Sequence, residues 1–236
     1  MKCRLFGFVC ALAGVMGTNA VLSAGPIEYP LTRMSDVVDI YHGVEVPDPY
    51  RWLEDDVRVS EEVAAWVEEQ NRVTFGVLEQ IPHREAIRAR LMEMLDYERY
   101  TSPFIAAGRY YYYRNDGLQN HSVLYTTGDS LDGEPEVVID PNLFSEDGTT
   151  ALAGVYFSPD GRYMAYYIQE GGSDWRKGFV RDLKTGMDLP DKLEWIKFSA
   201  ASWKRDGSGF FYSRYPEPDA GTAFTGRNSN HMLYIL

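Results

Sequence analysis

The chain has 236 residues, 44% hydrophobic and 25% charged, which suffices for one large domain or two small ones with an ordinary globular core. Its 23 Lys and Arg stand against 35 Asp and Glu, a net charge of −12 without any basic stripe, which argues against a nucleic-acid partner. The 14% aromatic content includes 17 Tyr, a residue that suits a pleated, half-buried strand surface.

The first residues stand apart from the rest. Lys2 and Arg4 precede an apolar run of 12 residues, Leu5–Met16, and small residues follow in "GTNAVLSAG". That layout predicts a secretory signal peptide over 1–24, cut after Ala24 or after Ala20, and hence export to the periplasm or beyond the cell. The run is too short to span a bilayer as a helix, and a buried N-terminal helix is the alternative. Both cysteines, Cys3 and Cys10, fall inside the leader, so the exported chain holds no disulfide. Losing Lys2 and Arg4 with the leader takes the charge balance from −12 to −14.

Residues 25 to about 58 are extended and turn-rich, with Pro47 and Pro49 barring a helix. The period then changes. Val63, Trp66, Val67, Gln70, Thr74, Val77, Leu78 and Ile81 follow helical spacing, with Ser60 placed to cap the start and Pro82 to close the end. A second helix is predicted from Arg84 to Asp96, with Ile87, Leu91 and Leu95 on one face. Both apolar stripes require a surface to pack on, and nothing earlier in the chain is large enough to supply it.

From Tyr100 onward, short aromatic and β-branched runs alternate with turn signals, as in "GRYYYYRND", "SVLYTT", "PEVVID", "RYMAYYIQ", "GFVRDL" and "LEWIKFS". Two stretches resemble each other. "YFSPDGRYMAYY" and "SWKRDGSGFFYS" place Asp160–Gly161 and Asp206–Gly207 46 residues apart, and a fainter copy, "AGRYYYYR", puts Gly108 another 53 residues upstream. A period of that length with about four short strands per unit predicts β-propeller blades, the first over about 100–141, the second over about 151–198 and a third from about 200. A β-sandwich is the structural alternative. The chain ends in an apolar run, Met232–Leu236, that reads as a strand with nothing after it. Two and a half blades leave open edges, so the sequence reads as the N-terminal part of a longer protein.

No stretch carries a complete hydrolytic or ligand-binding motif. G-x-S-x-G is absent, "GGSDW" ending in Trp175 where glycine is needed; His42, His83, His121 and His231 have no ligand spacing; no phosphate loop occurs, and no cofactor or metal is expected. "GDSL" at Gly128–Leu131 matches a serine-esterase tetrapeptide, but its setting, "TTGDSLDGEPEV", is a polar hairpin loop without the α/β alternation those enzymes need, so Ser130 reads as a turn residue.

Five stretches in order, "DPYRWLED", "NDGLQNHSVLY", "DSLDGEPEVVIDPN", "GGSDW" and "GFFYSRYPEP", resemble the N-terminal part of prolyl oligopeptidase, a serine peptidase, over nearly everything from Tyr29 to Leu236. The resemblance implies a mainly β chain: the first blades of an incomplete seven-bladed propeller over 99–236, preceded by a helical segment, 25–98, that in the family packs on a C-terminal α/β-hydrolase domain. It implies cleavage of short proline-containing peptides after proline by a Ser-Asp-His triad, with the propeller as a lid that excludes folded proteins. The triad belongs to sequence this chain does not contain, so the chain alone is expected to be inactive. By resemblance, Asp174 of "GSDW" and Phe198 of "KFS" contact substrate, Asp174 pairing with a cationic group and Phe198 offering an apolar wall. A turn-capping aspartate and a blade-core phenylalanine are the competing readings, with Trp175 and the Tyr110–Tyr113 run as packing residues. For the chain as a whole the competing reading is a non-catalytic propeller that only binds.

Overall fold

Pro47 and Pro49 hold the early segment extended, and it folds back on itself. In this computed structural model, which describes residues 27–236, β1 (Val38–Tyr41) and β2 (Val44–Pro47) form a hairpin. His42 and Gly43 turn it with φ of 53° and 82°, the two positive values that a tight hairpin turn requires. The leader predicted over 1–24 lies outside the described residues. A short 3₁₀ turn over Arg51–Glu54 follows, and Arg51 bridges Asp48 and Asp39, tying the turn to the hairpin.

The first helix, α1 (Glu61–Glu79), begins where the spacing places it, with the Ser60 hydroxyl accepting the Val63 N–H at 3.4 Å and Glu61 and Glu62 in the first turn. The extended arm fastens to it. Trp66 Nε1 donates to Thr32 Oγ1 at 3.0 Å, Arg33 pairs with Glu62 at 2.7 Å, and Trp52 meets Trp66 edge to face. The second helix, α2 (Arg84–Leu95), buries nothing: Ile87, Leu91 and Leu95 are all about half exposed. Only Val63 of α1 is buried, so the two apolar stripes remain largely uncovered.

The remainder is three antiparallel sheets in sequence. The first contains β3 (Arg99–Tyr100), β4 (Phe104–Ala106), β5 (Arg109–Asn115), β6 (Val123–Gly128) and β7 (Glu136–Ile139), with β3 and β4 both pairing with β5. The second is the four-stranded meander β8 (Thr150–Phe157), β9 (Tyr163–Glu170), β10 (Arg176–Asp182) and β11 (Met187–Ile196). The third contains β12 (Ser202–Trp203), β13 (Phe210–Arg214) and β14 (Met232–Ile235), so the terminal apolar run is a strand paired to β13. These are consecutive propeller blades packed face to face, as a mainly β chain with incomplete closure predicts.

The central strand shows why "RYMAYYIQ" is apolar at nearly every position. Successive side chains of a strand point to opposite faces, and a middle blade is covered on both. Met164 and Tyr166 pack toward the first sheet with Tyr111, Leu124 and Ile139, while Ala165 and Tyr167 pack toward the third with Phe210 and Tyr212. Side chains of this size contribute about 1.5–3 kcal/mol each when fully buried. Directed bonds cross both seams: Arg181 Nη1 donates to the Val138 carbonyl at 2.9 Å, and Trp203 Nε1 to the Tyr156 carbonyl at 2.9 Å.

The repeated Asp-Gly pairs are repeated turns. Ser158 accepts the Gly161 N–H and Lys204 accepts the Gly207 N–H, with φ of 70° and 69° at the two glycines. In each, the aspartate takes the N–H two residues on, Arg162 at 3.1 Å and Ser208 at 3.0 Å. The Ser158 hydroxyl at 2.6 Å, and after it the Arg162 N–H, hold the Asp160 carboxyl below the usual range, and the Ser208 N–H and hydroxyl do the same for Asp206.

Candidate functional site

Antiparallel alternation sorts every connection to one end of the strands or the other. Loops 116–122, 140–149, 171–175, 197–201 and 215–231 share one end; the turns 107–108, 129–135, 158–162, 183–186 and 204–209 share the opposite one. Contacts within each group bear this out. At the first end the Gly171 N–H meets the Thr149 carbonyl at 3.1 Å and the Tyr215 N–H meets the Trp195 carbonyl at 2.9 Å. At the other, Gly161 lies against Ala107, and Gly207 against the Asp160 carboxylate.

Asp174 and Phe198 come to the same end by register. Arg176 of β10 pairs with Ile196 of β11, and the two residues lie two positions beyond that pair on their own strands. Ser173, not Asp174, accepts the Trp175 N–H to close the turn, and Asp174 is exposed with no hydrogen-bond partner among the described residues. Phe198 is 74% exposed, so it is no core residue, and its φ of 52° is a left-handed conformation that a bulky side chain avoids. An exposed phenylalanine held at such a φ is the kind of outlier that clusters at functional sites.

Beside them lies a feature that the spacing of residues does not announce: a cavity of about 980 Å³. Its wall includes Trp175, Trp195 and Phe224, with Arg58 entering from the N-terminal arm. Trp175 meets Trp195 edge to face at 5.4 Å, donates Nε1–H to the Ala223 carbonyl at 2.6 Å, and carries Lys197 Nζ 3.8 Å above its ring. Arg58 stacks on Phe224 at 3.4 Å. Trp175, expected to be a packing residue, thus joins three loops and borders the open space. Its place opposite Lys197, one position beyond the Arg176–Ile196 pair, is a three-dimensional fact with no local signature.

The charges around the cavity are mostly paired. Arg58 holds Asp56 well below the usual carboxylate range through its hydrogen bonds. Lys192 does the same for Glu194 at 2.7 Å, with the charges of Lys177 and Arg214 adding to the effect.

Among the described residues no serine hydroxyl is hydrogen-bonded to a histidine. Ser130 lies at the opposite end, in the turn between β6 and β7, where its hydroxyl accepts the Asp132 N–H at 3.3 Å. The histidines have structural surroundings: His121 Nε2 lies 2.8 Å from the Gly148 carbonyl and His231 stacks on Tyr215 at 4.4 Å. Among the described residues no group of three His, Cys, Asp or Glu side chains could hold a metal ion.

A family model described as the prolyl oligopeptidase N-terminal β-propeller domain matches residues 29–236. The chain belongs to that family. It is 43% identical to a prolyl endopeptidase of Elizabethkingia meningoseptica over 225 residues, covering 95% of this chain and 31% of the relative. Prolyl oligopeptidase A of Amanita bisporigera is 36% identical, with 87% of this chain and 30% of the relative covered. The structure of Galerina marginata prolyl oligopeptidase B bound to a 35mer hydrolysis and macrocyclization substrate superposes with a TM-score of 0.74 at 31% identity, over 90% of this chain and 32% of that one. The chain thus spans about a third of the length of the curated relatives it matches.

Proposed function

We propose that this prolyl oligopeptidase propeller segment serves a serine endopeptidase that cleaves short peptides after proline, forming part of the lid over an α/β-hydrolase domain that carries the triad. The observation that carries the reading is Phe198, an apolar side chain held exposed at strained backbone, at the same end of the blade as the exposed Asp174 carboxylate and the aromatic cavity. On this reading Phe198 walls the groove for a peptide side chain, and Asp174 pairs with a cationic group on the opposing domain or on the peptide. The uncovered faces of α1 and α2 fit the same arrangement, since their apolar residues would pack on the hydrolase domain.

Co-expression with the C-terminal segment of the Elizabethkingia meningoseptica relative tests this. The expected result is cleavage of short peptides after proline, with folded proteins left intact. An assembled complex that cleaves nothing overturns the reading.

The reading includes export, supported by the basic start, the apolar run and the small residues of 1–24. N-terminal sequencing of the protein from a periplasmic fraction is expected to start at Gly25, or at Val21 for the earlier cut. Recovery only from cytosol, beginning at Met1, overturns it.

A further inference from the structure

The cavity's acids each have a cation: Asp56 has Arg58 at 2.5 Å, Glu170 has Lys177 at 2.7 Å, Glu194 has Lys192 at 2.7 Å, and Glu54 has Arg51 at 3.7 Å. Arg176 lines the same wall and has no such partner. Among the described residues no carboxylate lies within ion-pair distance of it, and its Nε is buried without a hydrogen-bond acceptor. The buried Nε is closed to a ligand and carries the cost of an unmade bond, while no hydrogen bond or ion pair among the described residues engages the rest of the guanidinium, which is the part of Arg176 that the cavity can present. The guanidinium is a planar fork that matches a carboxylate through two parallel hydrogen bonds, and Trp175 and Trp195 line the same cavity.

We infer that Arg176 binds a carboxylate of the peptide substrate, seated against Trp175 and Trp195. The inference rests on the reading above that peptides reach this end of the blades. Two sources share that chemistry: the free C-terminal carboxylate of a short peptide, or an acidic side chain within a longer one. A terminal carboxylate recognised here sets the distance between the cleaved bond and the peptide's end, so the residue selects for length as well as charge.

Calorimetric titration of the full chain tests it with three peptides: acetyl-Ala-Ala-Pro-Ala-Ala as the free acid, its C-terminal amide, and the amide with Asp as its last residue. The expected result is binding of the free acid at least tenfold tighter than the plain amide. A gain by the Asp-bearing amide alone also supports the site and assigns it to side chains. Arg176→Gln is expected to abolish whichever preference appears, with the melting temperature unchanged or raised because no native partner is lost and an unmade buried donor is removed, and Arg176→Lys to retain part of it. Equal binding of all three peptides by the unaltered chain, or a preference that survives Arg176→Gln, overturns the inference and leaves the proposed function standing. Failure of all three to bind counts against both.

Discussion

Arg181 of the second blade reaches the backbone carbonyl of Val138 in the first, at 2.9 Å, while its Nε holds Asp188 at 2.8 Å on its own sheet. Tyr166 completes the group, donating its hydroxyl to Asp188 at 2.8 Å with the guanidinium over its ring. The arginine side chain is only 19% exposed, so its charge is substantially removed from water and its bonds are correspondingly strong. Arg181→Ala leaves the Val138 carbonyl without its donor and the partly exposed Asp188 carboxylate with only the Tyr166 hydroxyl. It is expected to destabilise the chain by about 1–2 kcal/mol, read from urea unfolding with an unchanged slope. A loss under 0.5 kcal/mol would show that the seam is held by apolar packing alone.

Tyr166 also sets an alkaline limit on stability. Burial raises its phenol above the ordinary value of 10, and the hydrogen bond to Asp188 raises it further; burial does the same to Tyr167. A group whose pKa is higher folded than unfolded stabilises fully below the unfolded value and loses that contribution as pH climbs toward the folded one. Melting temperature is therefore expected to hold level up to about pH 10 and to fall steeply above it. Tyr166→Phe makes that fall shallower, with Tyr167 sustaining the rest. An identical alkaline profile in the variant would refute the assignment.

The two repeated turns are expected to respond unequally to the same change. Gly161 and Gly207 share a left-handed φ, but a Cβ at Gly161 would come within 2.8 Å of the Ala107 Cβ, whereas at Gly207 its nearest neighbour is Asp160 at an ordinary 3.5 Å. Gly207→Ala incurs backbone strain of about 1 kcal/mol. Gly161→Ala adds a clash across the first seam, and the total is about 2–3 kcal/mol. Chemical denaturation of the two variants checks the order, and equal losses would mean that the 107–108 turn gives way freely.

Phe198→Gly is expected to stabilise the chain by about 0.5–1 kcal/mol, because glycine adopts a φ of 52° without strain and the exposed ring gives up little burial. The same substitution is expected to weaken peptide binding at the loop end several-fold. Stability gained with binding lost would mark strain kept for function. Destabilisation would mean that the ring packs more tightly than its exposure implies.

Short-range features were legible in the sequence because their causes are local. Ser60 caps α1, and both Asp-Gly pairs turn the chain, since each depends on residues within about five positions. Strand limits were harder. The run "LEWIKFS" suggests a strand starting near Leu193, yet β11 reaches back to Met187 through Pro190. That proline is tolerated because β11 is the outermost strand of its sheet, where a missing N–H breaks no inner ladder. The cavity left no trace at all. It draws on the N-terminal arm, on β10 and on a loop around Phe224, and no period links them. Asp174 and Phe198 were named from family resemblance; their nearness to one strand pair follows from a register that two separate stretches do not disclose.

Two seam bonds run from a side chain of the later blade to a carbonyl of the earlier one, Arg181 to Val138 and Trp203 to Tyr156, whereas at the loop end Trp175 of the second blade donates to the Ala223 carbonyl of the third. A main-chain acceptor is present whatever residue stands there, so the earlier blade keeps its docking point through substitutions at Val138 or Tyr156. The direction also matters during synthesis. In these two bonds the acceptor emerges from the ribosome before its donor, so the second and third blades each meet a docking point already in place.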